Sequence, residues 1–188
     1  MSTRIGLFGG TFDPPHHGHV AALRAAWSTG LFDRIEVTVA GDPYQKSHQR
    51  GVHPALDRLA MAHEAFDALE GVVVSDREIR REGPSYTIDT VRELMSEGCE
   101  VDLLVGEDLL SSLDTWRGAA ELARLVRVGV VPRPGSVPRT LHGWTTYVIP
   151  MIPVDLSSTQ VRDAHHHHEA LDEFAPAPVI SLFRELEE

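Results

Sequence analysis

A single cysteine, Cys99, stands in 188 residues. No intrachain disulfide can form, and no thiol pair exists for a structural zinc site. A lone cysteine at a strand entrance reads as a small, half-buried side chain. Long apolar runs are also missing, since none approaches the roughly 20 residues that cross a bilayer. The N-terminal Met-Ser-Thr-Arg passes straight into a strand-like run, without the charged-then-apolar pattern of a leader. The expectation is a soluble chain with no membrane partner, working in the cytoplasm. Positive charge is scarce: 17 Lys and Arg face 28 Asp and Glu, for a formal net charge of −11. A phosphate backbone needs a basic face, so nucleic acid is not expected as a partner. Any phosphate this chain binds must be held by local groups. With 42% apolar residues the composition is that of a folded protein, and the length suits one domain spanning residues 1–188.

What is present alternates. Arg4–Phe8, Ile35–Ala40, Val72–Ser75, Val101–Val105, Val126–Val131 and Tyr147–Ile149 read as short strands rich in β-branched residues. Between and after them, His19–Thr29, Pro54–Leu69, Ser85–Glu97, Gly118–Leu125, Ser157–His168 and Val179–Leu186 carry helical spacing. The pattern puts Leu56, Leu59, Ala60, His63 and Phe66 on one face of the second helix, and Ile88, Val91, Leu94 and Met95 inward on the third. Val101–Val105 is nearly all apolar, as a parallel strand buried on both faces should be. The fold class expected is α/β, a Rossmann-like parallel sheet with helices on both faces. Pro132–Gly143, with three prolines and no periodicity, reads as a loop. The tetrad His165–His168 reads as a solvated helix end, with adventitious metal binding or a function left open.

Residues 6–20, GLFGGTFDPPHHGHV, crowd glycines, prolines and histidines between the first strand and the first helix. Ligands of open α/β sheets bind outside the carboxyl ends of the strands. Adjacent Gly9 and Gly10 there let a ligand approach the backbone, and the next helix begins with N–H groups that lack internal partners. That combination suits an anion. His16 and His19, three apart across the loop-to-helix junction, can face one ligand and donate to a phosphoryl oxygen. The same pair also fits plain loop histidines or metal ligands.

Later segments have similar double readings. Ser157-x-x-Gln160 fits a capping box, yet Ser158 and Thr159 then offer hydroxyls and free N–H groups at a helix N-terminus. Arg162 stands one turn on as a planar fork for phosphate oxygens. Gly106-x-Asp108 follows a buried strand; the glycine admits a flat base and the carboxylate can accept from ribose hydroxyls, or it caps the next helix. Trp116 offers a flat face to an aromatic ring or fills the core. Gly41 through Lys46-Ser47 imitates a P-loop, but Gln45 replaces the second glycine and Pro43 lacks an N–H.

Gly9-Gly10-Thr11-Phe12-Asp13-Pro14-Pro15-His16-His17-Gly18-His19 resembles the signature of the H-x-G-H nucleotidyltransferases, and within them the bacterial nicotinate-nucleotide adenylyltransferases. GPSYTIDTV (Gly83–Val91), GEDLLSSLDTW (Gly106–Trp116), RPG (Arg133–Gly135) and SSTQVR (Ser157–Arg162) resemble that family's later motifs in the same order. The resemblance implies adenylyl transfer from ATP to nicotinate mononucleotide without a covalent intermediate, with Mg²⁺ carried on substrate oxygens. It implies catalytic roles for His16 and His19. Gly9, Gly10, Thr11, Phe12, Gly106, Asp108, Ser158, Thr159 and Arg162 would contact ATP, the C-terminal segment 157–188 completing that site. Lys46, Thr87, Trp116 and Arg133 would contact the mononucleotide. Thr87 reads equally as a helix cap, and Lys46 lacks the histidine that the family often places before it. Two rivals stand: the same chemistry on nicotinamide mononucleotide or another phosphorylated metabolite, and a metal-binding protein using His16, His17, His19 and the tetrad. A homo-oligomer is left open.

Overall fold

The structure is a computed structural model, and it describes residues 2–41, 52–135 and 141–187. Lys46 and the tip of the Pro132–Gly143 segment lie outside the described residues. Six strands, β1 (Thr3–Gly10), β2 (Arg34–Val39), β3 (Val72–Ser75), β4 (Cys99–Gly106), β5 (Arg127–Val131) and β6 (Thr146–Val148), form one sheet. The order is β3-β2-β1-β4-β5-β6 and every pairing is parallel. The chain reverses its direction of travel across the sheet between β1 and β4. The loops after these two strands diverge there and open a crevice at their carboxyl ends.

The helices are α1 (His17–Ser28), α2 (Ala55–Phe66), α3 (Arg77–Arg80), α4 (Thr87–Ser96), α5 (Ala119–Leu125), α6 (Ser158–His166) and α7 (Ala177–Glu187). A 3₁₀ segment, Glu107–Thr115, follows β4. Strand alternation sorts the core into two layers. Phe8, Ile35, Val37 and Val39 pack with Leu23, Phe66, Val179 and Phe183 in one layer. Ile5, Leu7, Val101 and Leu103 pack with Ile88, Val91, Leu94 and Leu122 in the other. Helices thus cover both faces, as the near-continuous apolar strands require.

Two helices depart from the inward face their spacing predicts, α2 widely and α4 at its margin. In α2 the buried residues are Arg58, Met61, Ala62, Ala65 and Phe66, while Leu56 is 67% exposed and the His63 side chain lies on the surface beside Asp67. In α4 Ile88, Val91 and Leu94 are buried as expected, but Thr90 joins them and Met95 is 39% exposed. Polar satisfaction explains both departures. Thr90 donates its hydroxyl to the buried carboxyl of Glu78 at 2.7 Å. Arg58 is only 1% exposed and finds backbone acceptors on three separate segments. Its Nη1 donates to Thr11 O at 2.9 Å, its Nη2 to Ala40 O at 2.7 Å and Gly41 O at 3.3 Å, and its Nε to His53 O at 2.9 Å. A buried carbonyl costs about 1–3 kcal/mol when left unmet, so the guanidinium outweighs an apolar side chain here. The hydrophobic period cannot register that preference.

The Arg58→Met variant keeps the bulk of the side chain and leaves these carbonyls without donors. It should lose about 3 kcal/mol of stability or more, read as a fall in the urea midpoint with little change in slope.

Candidate active site

Gly9 and Gly10 are the last residues of β1 rather than part of the loop that follows. Past them Phe12 takes a left-handed conformation at φ 52°. Its ring sits where a side chain on Gly10 would be, 2.7 Å from an added Cβ. Asp13–Pro14 is a cis peptide, and His16 forms the N-cap of α1 in extended conformation, φ −139° and ψ 170°. His19 is the third residue of that helix. The His16 backbone N–H donates to His19 Nδ1 at 3.2 Å, which leaves the proton of a neutral His19 ring on Nε2. The two imidazoles stack with centroids 3.7 Å apart and planes 27° from parallel. Gly18 is required between them, because a Cβ there would come within 2.9 Å of His16 Nδ1.

His16 is buried and its Nδ1 has no partner. Burial, helped by the positive charge of Arg133 and by His17, lowers its pKa to about 4. The ring is therefore neutral at physiological pH.

The motif loop is buttressed from below. Asp13 is buried, and its Oδ1 lies 2.6 Å from His53 Nδ1, while Oδ2 accepts the His53 backbone N–H at 3.3 Å. His53 Nε2 lies 3.3 Å from Glu187 Oε1, tying the loop to α7. Motif spacing does not show this chain; Asp13 stands inside the motif, but its partner His53 is 40 positions away, and Glu187, which His53 meets in turn, is 174 away.

The helix α6 reaches the same place. Ser157 caps it by accepting the Gln160 N–H at 3.2 Å, as the capping-box reading predicts. Ser158 donates its hydroxyl to Pro14 O at 2.9 Å. Arg162 Nη1 donates to Asp13 O at 2.5 Å, and its Nη2 to Thr159 Oγ1 at 3.2 Å. His16, Gly18, His19, Gly106, Asp108, Arg133, Ser157, Ser158, Thr159 and Arg162 all line one cavity of about 370 Å³. Its floor is Gly9, Gly10, Thr11 and Phe12. A Cβ on Gly106 would lie 2.5 Å from Asp108 Oδ1, so a side chain there would push that carboxylate out of its present place.

A second cavity, about 200 Å³, shares Gly9, Gly10, Thr11, Leu104, Val105 and Leu109 with the first. Its own walls are Leu7, Thr38, Ala40, Glu78, Ser85, Thr87, Leu103 and Trp116. Trp116 and Thr87 thus line one cavity, in keeping with the resemblance. Arg133 does not join them: it lines the first cavity, its Nη1 donating to Leu156 O at 2.8 Å and its Nε lying 3.6 Å from Asp108 Oδ1. Arg133 reaches that side because β5 hands it over the end of β4, toward α6. Burial raises the pKa of Glu78, against the pull of hydrogen bonds from Thr90 and Ser85 and the charge of Arg81.

The tetrad His165–His168 lines neither cavity. His165–His168 lie at the end of α6, and no group of three or more His, Cys, Asp or Glu side chains comes together as an ion cage among the described residues. No described helix is long and apolar enough to cross a membrane.

A parallel sheet reversing at β1 and β4, with imidazoles and a guanidinium around a glycine floor, defines a nucleotidyltransferase of the Rossmann type. Residues 7–164 match the family described as Cytidylyltransferase-like. Curated relatives narrow the class. The chain is 36% identical to a "Probable nicotinate-nucleotide adenylyltransferase" of Albidiferax ferrireducens, covering 94% of this chain and 92% of that one. It is 34% identical to the protein of the same name from Chromobacterium violaceum, over 98% and 97%. The chain belongs to the nicotinate-nucleotide adenylyltransferase family. The fold matches that of the Plasmodium falciparum nicotinic acid mononucleotide adenylyltransferase complexed with NaAD, with a TM-score of 0.81 at 14% identity over 97% of this chain and 95% of that one.

Because the unfolded ring takes up its proton near pH 6.5 and the folded His16 only near 4, the unfolded chain protonates first as pH falls. The contribution of neutral His16 to stability is complete above pH 6.5 and drains away down to pH 4, on the order of 3 kcal/mol in all. An NMR titration should place the His16 midpoint near 4; a midpoint at 6 or above would contradict the burial argument.

Proposed function

We propose that this protein transfers the adenylyl group of ATP to nicotinate mononucleotide, releasing pyrophosphate and forming deamido-NAD. The observation that carries the reading is the pair of joined cavities. One is lined by hydrogen-bond donors and cations suited to a polyphosphate, the other by an indole and aliphatic side chains suited to a flat ring. They meet over Gly9-Gly10-Thr11, where backbone leaves room for the reacting phosphates.

An oxygen of the mononucleotide phosphate attacks the α-phosphorus of ATP in line. The bond from the α-phosphorus to the bridging oxygen breaks, and its electrons leave with pyrophosphate. No nucleophilic side chain intervenes. His19, its Nε2 carrying the proton, donates to the oxygens on which charge accumulates in the transition state. His16, Ser158, Thr159 and Arg162 hold the phosphate chain, and Arg133, on this side of the crevice, adds its charge to theirs. Gly106 and Asp108 receive the adenosine, the carboxylate accepting from ribose hydroxyls. Trp116 stacks on the pyridine and Thr87 lies against the mononucleotide; we assign Lys46 to its phosphate on the motif alone. The segment 157–188 completes the ATP site.

Mg²⁺ fits this arrangement as a companion of the substrate. The only carboxylate that lines the phosphate cavity among the described residues is Asp108, which is too little to cage a hard cation that demands several oxygens. When bound, the ion neutralises phosphate charge. All these reactants are water-soluble metabolites, and the cytoplasm is the compartment we assign.

Catalysis then rests on alignment and charge stabilisation. The His19→Ala variant should lose about 10²-fold or more in turnover while keeping its fold by circular dichroism; near-normal turnover would remove His19 from the chemistry. Offering ATP with nicotinate mononucleotide, nicotinamide mononucleotide and other phosphomonoesters, and measuring pyrophosphate, tests the acceptor. Release should be fastest with nicotinate mononucleotide, and silence with it would reject the assignment.

A further inference from the structure

The second cavity contains a polar group that no motif singles out. Thr38 sits near the carboxyl end of β2, in register between Gly9 of β1 and Ser75 of β3. It is 1% exposed, and its Oγ1 has no hydrogen-bond partner. Thr38 lines the second cavity together with Leu7, Leu103, Leu104 and Trp116. Gly9, its neighbour in register, carries no side chain, and a Cβ there would lie 3.4 Å from Thr38 Oγ1. Trp116 Nε1, in the wall of the same cavity, is likewise buried without a partner.

Folding alone does not favour this arrangement. Valine has the shape of threonine, raises β-propensity as well, and leaves nothing unmet. A hydroxyl that can donate and accept, on a residue in the wall of the same cavity as an indole whose N–H can only donate, calls for a guest carrying acceptor atoms. Most buried polar side chains are satisfied, and each exception needs a reason.

We propose that Thr38 is a binding residue for the acceptor nucleotide, its hydroxyl donating to an oxygen of the mononucleotide seated against Trp116. The inference rests on the assignment of this cavity to nicotinate mononucleotide. Thr38 does not touch the phosphate cavity, so its effect is confined to affinity for the acceptor. The hydrogen bond forms equally in ground and transition states, and it changes binding and KM rather than kcat.

The test is equilibrium binding of nicotinate mononucleotide alone to the intact protein, by calorimetry, for the parent, Thr38→Val and Thr38→Ser, alongside thermal melts. Thr38→Val should weaken binding of the mononucleotide about tenfold, leave the affinity for a non-hydrolysable ATP analogue within twofold, and melt no lower than the parent. Thr38→Ser, which keeps the hydroxyl, should restore most of the affinity. Equal binding by the parent and Thr38→Val would overturn the role of Thr38 and leave the assigned reaction standing. Losses of equal size in both variants, or a matching loss for the ATP analogue, would overturn it too, as the mark of disturbed packing. A parent that does not bind nicotinate mononucleotide would overturn the assigned acceptor and this inference together.

Discussion

The guanidinium of Arg58 is the constraint on which both cavities depend. At the carboxyl edge of the sheet, the chain leaves β1 and β2 and later returns to enter α2, so carbonyls of Thr11, Ala40, Gly41 and His53 converge where water does not reach. Only a side chain with several donors in a fixed plane can meet acceptors in that many directions, and an ammonium on a flexible stem cannot. Burial lowers the pKa of Arg58, with the charge of Asp13 acting in the opposite sense. Asp13 in turn is held by His53, and His53 by Glu187. Thr11 forms part of the floor shared by the two cavities, and Ala40 walls the second. Positions in the walls of both cavities are thus set by a side chain that touches neither.

Alternation of apolar runs identified each of the six strands and the α/β class, because the inner strands of a parallel sheet are buried on both faces and read as apolar, while the more exposed edge strands β3 and β6 still carry β-branched residues. Strand boundaries moved by at most two residues, as at β1, which continues through Gly9 and Gly10. The sequence reading missed α3, a single turn whose REIR has too few residues to display a period. The inward faces of α2 and α4 were legible only in part. Spacing weighs hydrophobicity, while Arg58 and Thr90 are buried for the sake of hydrogen bonds to partners far along the chain.

At the site, what is local was legible. The two histidines, the glycine between them, the capping box at Ser157 and the Gly106–Asp108 pair owe their arrangement to neighbours within a few residues. Their convergence followed from the rule that loops at one sheet edge share a crevice. Arg133 lines the cavity of His16 and Arg162 rather than that of Trp116, which motif order could not indicate, since it carries no information about which wall a side chain occupies. Asp13, Glu78 and Thr38 were not found, since a buried polar residue is recognisable only when its partners, or their absence, are known. The hydroxyl in IEVTVA, a run that also carries Glu36, was the one available signal for Thr38, and it has many innocent explanations in a strand.

How an acidic protein holds a polyphosphate is a question of range. At physiological ionic strength charges are screened over about 8 Å, so the surplus of carboxylates acts weakly on the crevice, and the groups lining it dominate. There, His16 is neutral and contributes directed N–H donation without adding to the charge, while Arg133 and Arg162 supply the positive field. Had both imidazoles been protonated as well, the stacked rings would repel at 3.7 Å and the empty cavity would be costly to maintain. Keeping His16 neutral removes that cost from the free protein, and leaves the two guanidinium groups as the cations of the cavity.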